Sequence, residues 1–206
     1  MARKLFCELS PTAYKISVWK GIFLRHVSDI FKGEKYASKK SGEEFCNIVK
    51  SHSSLILRRL EGVDMTLQEN KAVNLKLASG KINGIIIRPG ETFSFWRTVG
   101  HPNEKDGYKE GLTVSSRKGL GKGVGGGLCQ CANMIHWLVL HSPLTVSELH
   151  HHSDALFPDE KRRVPFGTGT SVCYKALDYR FKNTTNIIYQ LIIYLTDEYL
   201  CGKLRA

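Results

Sequence analysis

The sequence predicts an α+β fold: a helical N-terminal part, then a mainly antiparallel sheet packed on a central helix that starts at a glycine-rich loop. Three observations predict it. Helix-start signals fall early in the chain, β-branched runs closed by turn residues crowd the later part, and the two do not alternate as βαβ units.

The helices come first. The stretch 17–31 reads as a helix after a turn at Ser10-Pro11. Ser41-Gly42-Glu43-Glu44 has Ser and Glu at capping-box spacing, which predicts a helix over 44–59. The signal recurs at Thr66-Leu67-Gln68-Glu69, predicting a second helix to Ser79 with Gly80 as its stop. The boundary falls between a basic, largely helical segment, 1–60, and a second domain, 61–206.

The strands follow. Gly84-Ile85-Ile86-Ile87-Arg88 is β-branched and closed by Pro89-Gly90. Residues 91–96 alternate, placing Phe93 and Phe95 on one face and Ser94 and Trp96 on the other. Residues 97–110 read as a loop. Short strands are expected at 113–115 and 144–149, and two longer ones at 172–181 and 187–195.

The chain has 206 residues and a net charge of +11. Residues 1–40 hold nine Lys or Arg against three Asp or Glu, a solvated basic face or one that meets an anionic partner. No helix-turn-helix or aromatic RNA-binding signature accompanies it, so nucleic acid is not expected as a partner. The apolar runs of the first residues are broken by Lys15, Lys20 and Arg25, which does not fit a signal peptide. The longest uncharged stretch, 128–147, contains Gln130, Asn133 and Pro143 and reads as buried helix and strand rather than a membrane span. The expectation is therefore a cytoplasmic protein with six reduced cysteines.

Gly121-Lys122-Gly123-Val124-Gly125-Gly126-Gly127 leads directly to Leu128-Cys129 and a helical pattern. Gly loses more freedom on ordering than any other residue, so the run implies close approach of main chain to something. Gly121-x-Gly123-x-x-Gly126 spells a dinucleotide fingerprint, but Arg117-Lys118 stands where an apolar strand should lead in. Cys129, Cys131, His136, His141, His150, His151 and His152 are metal-ligand types, but Cys-x-Cys lacks the gap that lets two sulfurs of one turn meet a tetrahedral ion. No cofactor or metal is expected.

A cysteine nucleophile fits the local physics best. At a helix start, unpaired amides and the positive dipole end favour thiolate at Cys129. The amides of Gly125, Gly126 and Gly127 are placed to hold a developing oxyanion. Cys131 has no such position and reads as a packed thiol.

The nucleophile needs a base. His136 lies on the same helix face as Cys129 but about 10 Å further along. His141 is further still, so both read as packing or surface residues. A strand after Pro143 climbs back about 23 Å by His150, against about 18 Å of descent along the helix. Glu148, His150 and His152 then share a face, with His150 or His152 as the base and Glu148 as its orienting carboxylate. A wet loop histidine cluster is the competing reading.

Several ordered blocks resemble the VanW family, which includes accessory proteins of B-type vancomycin resistance. They are Asn74-Leu75, Asn83-Gly84, Pro89-Gly-Glu-Thr-Phe93, Phe93-Ser-Phe-Trp96, Gly107-Tyr-Lys109, Gly123-Val-Gly-Gly-Gly-Leu-Cys-Gln130, Glu148-x-His150-x-His152-Ser153 and Asp178-Tyr-Arg-Phe-Lys-Asn183. The resemblance covers about 60–200. It implies a peptidoglycan stem peptide or precursor as partner. It also implies the cysteine-dependent L,D-transpeptidase activity described for some clostridial members, with a non-catalytic precursor-binding role as the alternative. Carried over by position, Cys129, Glu148, His150 and His152 are the catalytic candidates. Gly125, Gly126, Gly127, Gln130 and Ser153 are the substrate-binding ones. Two departures stand out: many members have Asp where Gly169 stands, and members acting on the wall carry an export signal or anchor. Relatives also run on past the position of Cys201, so the chain reads as a truncated form.

Overall fold

The computed structural model describes residues 10–31, 33–57, 64–115, 119–151, 169–174 and 176–206. It is α+β, as the sequence predicts. Helix α1 is Pro11–Phe31, α2 is Met65–Ile82, α3 is Phe95–Val99 and α4 is Cys129–Val139. One sheet has the order β1 (Lys35–Tyr36), β4 (Glu91–Ser94), β8 (Arg180–Lys182), β7 (Thr145–Glu148). A second has the order β2 (Ile48–Leu55), β10 (Tyr199–Arg205), β9 (Tyr189–Leu195), β3 (Ile85–Ile87). Strands β5 (Glu110–Ser115) and β6 (Gly119–Val124) form a hairpin. Only the β1–β4 pairing among these is parallel.

Helix α2 follows from its caps and its face. Asp64 is the N-cap, its carboxylate accepting from the Thr66 amide at 2.9 Å, two residues before the expected start at Thr66. The helix runs through Gly80, and the Asn83 amide closes it on Ser79 O. Gly84, at φ 80°, turns the chain into β3. A side chain at Gly84 would also strike the Ser41 carbonyl, with its Cβ 2.4 Å from that oxygen. Its buried face is Leu67, Gln68, Lys71, Asn74, Leu75, Ala78, Ser79 and Ile82, helical in spacing and half polar in composition.

Among the described residues 44–57, the expected helix is absent. The Ser41 hydroxyl accepts from the Glu43 amide at 3.1 Å, closing a turn instead of a helix. Residues 48–55 are strand β2, paired along β10 from Leu55↔Tyr199 to Ile48↔Arg205. Ile48-Val49 and Ser51-His52-Ser53-Ser54 are poor helix formers, and β10 offers a full ladder of partners. The buried Gln190 of β9 ties down the preceding loop, accepting from the Phe45 amide at 2.9 Å and donating to Glu43 O at 2.8 Å.

The alternation of 91–96 breaks at Ser94. Its hydroxyl accepts from the Arg97 amide at 3.2 Å and starts α3, so Phe95 is carried into the core by a helix. Residues 97–110, expected as loop, also contain a 3₁₀ turn at Glu104–Asp106. Among the described residues of the expected strand 172–181, only Arg180 and Phe181 fall in a regular strand, β8, which continues to Lys182.

Phe93 stacks on its cross-strand partner Phe181 with ring centroids 5.0 Å apart, a pair worth about 0.5–1.5 kcal/mol beyond its buried area. Around it lie Leu75, Ile82, Ile135, Leu138, Leu191 and Leu204, all fully buried. Helix α4 presses on β10 so closely that a Cβ at Gly202 would lie 2.9 Å from Met134 Cγ.

Candidate functional site

The glycine-rich stretch divides into two parts. Gly119 to Val124 is strand β6, antiparallel to β5, with Gly121 and Gly123 facing Thr113. A hairpin strand in that position is not the strand-to-helix cradle of a dinucleotide site. The second part is the turn Gly125-Gly126-Gly127 before α4. Gly125 and Gly127 have φ of 77° and 90°.

The close approach that the glycines permit is to the protein itself. A Cβ at Gly126 would lie 2.2 Å from the Gly111 carbonyl carbon, and one at Gly127 would lie 2.2 Å from Lys71 Cγ. Asn74 clasps the turn from α2: it donates to Gly126 O and Lys109 O, each at 2.9 Å, and accepts from the Lys109 amide at 2.8 Å. The Gly125 and Gly126 amides are bonded to Lys109 O and Gly123 O. This corrects the expectation that both amides face a substrate. Gln130 is likewise committed: its side chain donates to Ser54 Oγ at 3.0 Å and Leu55 O at 2.7 Å, fastening α4 to β2.

Cys129 is the first residue of α4, as expected, and half-buried. Its thiol donates to Val172 O at 3.5 Å. Burial pushes the thiol up, and the neighbouring Cys173 sulfur adds to this, against the Val172 and Cys129 main chain, which favour the anion. Burial therefore works against the expected thiolate, with desolvation opposing the helix terminus. Cys131 is a packed thiol, pushed up to about 12 by burial.

Segment 170–172 brings the two halves of the candidate site together. The Thr170 amide donates to Asn133 Oδ1, one helical turn beyond Cys129. The Ser171 amide donates to His150 O at 2.6 Å, and Val172 O takes the Cys129 thiol. Gly169 directly precedes this segment.

Strand β7 ends at Glu148, and the His150 imidazole turns back so that Nε2 lies 2.9 Å from Glu148 Oε1. A carboxylate only accepts, so neutral His150 carries its proton on Nε2 and leaves Nδ1 basic. Glu148 is held in turn by Arg25 of α1 at 3.0 Å, by Arg180 Nε at 3.3 Å and by the Asp178 amide at 3.1 Å. Buried Asp178 accepts from Ser94 Oγ at 2.6 Å and from the Trp96 and Tyr179 amides, and pairs with Arg180 at 2.8 Å.

His136 and His141 have structural partners. His136 is buried with Nδ1 3.1 Å from Tyr179 Oη, and His141 is exposed with Nδ1 on Trp137 O. His152 and Ser153 lie outside the described residues. Among the described residues no group of three His, Cys, Asp or Glu is gathered as a metal site. The roles of Asn74, Arg25, Asp178, Arg180 and Val172 were not legible in the sequence. Asn74, Asp178 and Arg180 fall in the blocks quoted above, but nothing local marks Arg25 or Val172.

A small α+β domain with a cysteine at the start of helix α4, tied through residues 171 and 172 to the main chain of a Glu–His pair, defines the class of protein. The VanW like protein family model matches residues 70–205, and the chain belongs to that family. It is 41% identical over 145 residues to vancomycin B-type resistance protein VanW of Enterococcus faecalis, covering 70% of this chain and 52% of that protein. It is 29% identical over 118 residues to uncharacterized protein YoaR of Bacillus subtilis, covering 57% of this chain and 37% of that one. The chain thus spans about half or less of the length of these relatives. No solved structure matches it.

Proposed function

We propose that this chain is a vancomycin-resistance accessory domain of the VanW type that performs cysteine-dependent acyl transfer on peptidoglycan stem peptides or their precursors. The observation that carries this reading is the bridge made by residues 170–172, which binds both the Cys129 thiol and the His150 main chain. Glu148 fixes the His150 tautomer, so Nδ1 is the nitrogen that takes the thiol proton.

Because burial disfavours the Cys129 anion, the reaction needs that base. Sulfur attacks the peptide carbonyl as the S–H proton passes to His150, and a C–S bond forms. The proton then goes to the leaving amine as the C–N bond breaks, leaving a thioester on Cys129. An acceptor amine attacks the thioester and restores the thiol. His152 and Ser153 are further candidates for base and substrate contact, and the Gly127 and Cys129 amides for the oxyanion.

The test uses purified protein, a muropeptide substrate and intact-mass spectrometry. An acyl adduct on Cys129 that disappears in Cys129→Ala and accumulates far more slowly in His150→Gln is the expected result. Turnover by Cys129→Ala equal to wild type ends the proposal.

One observation favours a binding role without chemistry. The turn glycines are filled from within by Gly111, Lys71 and Pro102, which leaves no space there for a reacting carbonyl. Precursor-peptide binding that survives Cys129→Ala, with no adduct in wild type, is the signature of that role.

A further inference from the structure

Helix α1 is amphipathic, but it is turned around. Arg25 holds Glu148 at 3.0 Å and donates to Ala176 O at 3.2 Å, while Asp29, one turn on, pairs with Arg180 at 2.8 Å. Its charged face therefore grips the domain. Burial works against the Asp29 charge, yet the hydrogen bonds from Arg180 and Tyr36 hold its carboxyl below the usual range. None of the described residues of α1 joins the main core cluster.

The apolar side chains point the other way. Ile16, Trp19, Phe23, Leu24, Ile30 and Phe31 are all exposed, from 54% for Ile16 to 86% for Phe31. Their spacing, i, i+3, i+7, i+8, i+14 and i+15, makes a single stripe along the helix. Arg25 stands about 200° around the helix from Phe23 at 100° per residue. From Ile16 to Phe31 the stripe is about 23 Å long. Lys20 lies within it, beside a shallow depression of about 450 Å³ lined by Ile16, Lys20, Gly21 and Leu24.

We propose that α1 lies on the surface of an anionic phospholipid bilayer, with this stripe in the interface and the domain above it. Charge decides the occupant. The chain carries +11, so an anionic surface attracts it, whereas a second copy carries the same net charge and repels it. An exposed Trp and two Phe beside a Lys are the side chains that settle between headgroups and acyl chains. No helix among the described residues is long and apolar enough to cross a membrane, so α1 would lie on the bilayer rather than span it. The proposal is independent of any chemistry at Cys129.

The test is co-sedimentation of the full chain with vesicles of equal parts phosphatidylglycerol and phosphatidylcholine, against vesicles of phosphatidylcholine alone. The expected result is binding to the anionic vesicles that falls with added salt and weakens by at least about tenfold in Phe23→Ser and in Phe31→Ser. Both positions are solvent-exposed, and thermal melts check that each variant keeps its fold. Wild-type protein left in the supernatant overturns the proposal. So does equal binding by both Ser variants, which would reduce the effect to general basicity. Sedimentation equilibrium completes the test: a dimer that Phe23→Ser dissociates assigns the stripe to a second copy and also overturns the proposal.

Discussion

Glu148 Oε1 lies 2.9 Å from His150 Nε2, two residues on and just past the end of β7. The same carboxylate takes Arg25 from α1 and Arg180 from β8, so one side chain joins the candidate base to two distant elements. Glu148→Gln keeps the shape and removes the charge. Because the pairs are partly solvated, the expected loss is about 1–2 kcal/mol of folding stability. Urea unfolding measures it, and an unchanged midpoint and slope would show that the network contributes little.

Burial of the Cys129 thiol fixes the sign of its reactivity. A thiol pushed up by desolvation is less ionised at neutral pH than a free one, whose value is about 8.5. Alkylation of Cys129 by iodoacetamide is expected to be slower than that of glutathione at pH 7. Its rate should climb until the pH passes the raised value. Peptide mass spectrometry separates Cys129 from Cys131 only after cleavage between them, so Cys131→Ala is the background for this measurement. A rate above that of glutathione at pH 7 would mean that the helix terminus outweighs burial after all.

The turn before α4 tolerates no side chain at Gly126. A methyl group there meets the Gly111 backbone 2.2 Å away, and the backbone on both sides is pinned by Asn74. Gly126→Ala is expected to cost about 1–3 kcal/mol through overpacking. A thermal melt indistinguishable from wild type would show that β5 can move aside.

His136 makes the fold sensitive to acid. Burial lowers its value below the ordinary 6.5, so the unfolded chain takes up this proton before the folded one. The stability this neutral imidazole permits is complete above about 6.5 and is lost as pH falls from there through the lowered folded value. Chemical denaturation at pH 7.5 and at pH 5.5 reads the difference. In His136→Gln the drop between the two should shrink, and an unaltered drop would place the acid sensitivity elsewhere.

How much of this was legible depends on where each interaction begins and ends. Helix α2, strand β3 and the start of α4 at Cys129 are marked by neighbours a few residues away: a cap, a β-branched run, a glycine turn. The Glu148–His150 pair is also local, two residues apart, and alternation along a strand was enough to suggest it. The expected helix over 44–59 failed because Ser41 spends its hydroxyl on Glu43, and because β10, some 150 residues on, supplies a ladder that no window around Ile48 contains.

The sequence by itself determined the α+β class, the family and the candidate residues, because these rest on local pattern and on ordered blocks of identity. The tertiary structure decided what those residues experience. It turned the glycine run into a packing contact against Gly111 and Lys71, and it buried the Cys129 sulfur, which disfavours the thiolate. It also brought Arg25 to Glu148 across more than a hundred residues, leaving the apolar face of α1 outward. The physical reason is the same in each case: desolvation and close contact depend on which distant atoms arrive, and chain order does not specify them.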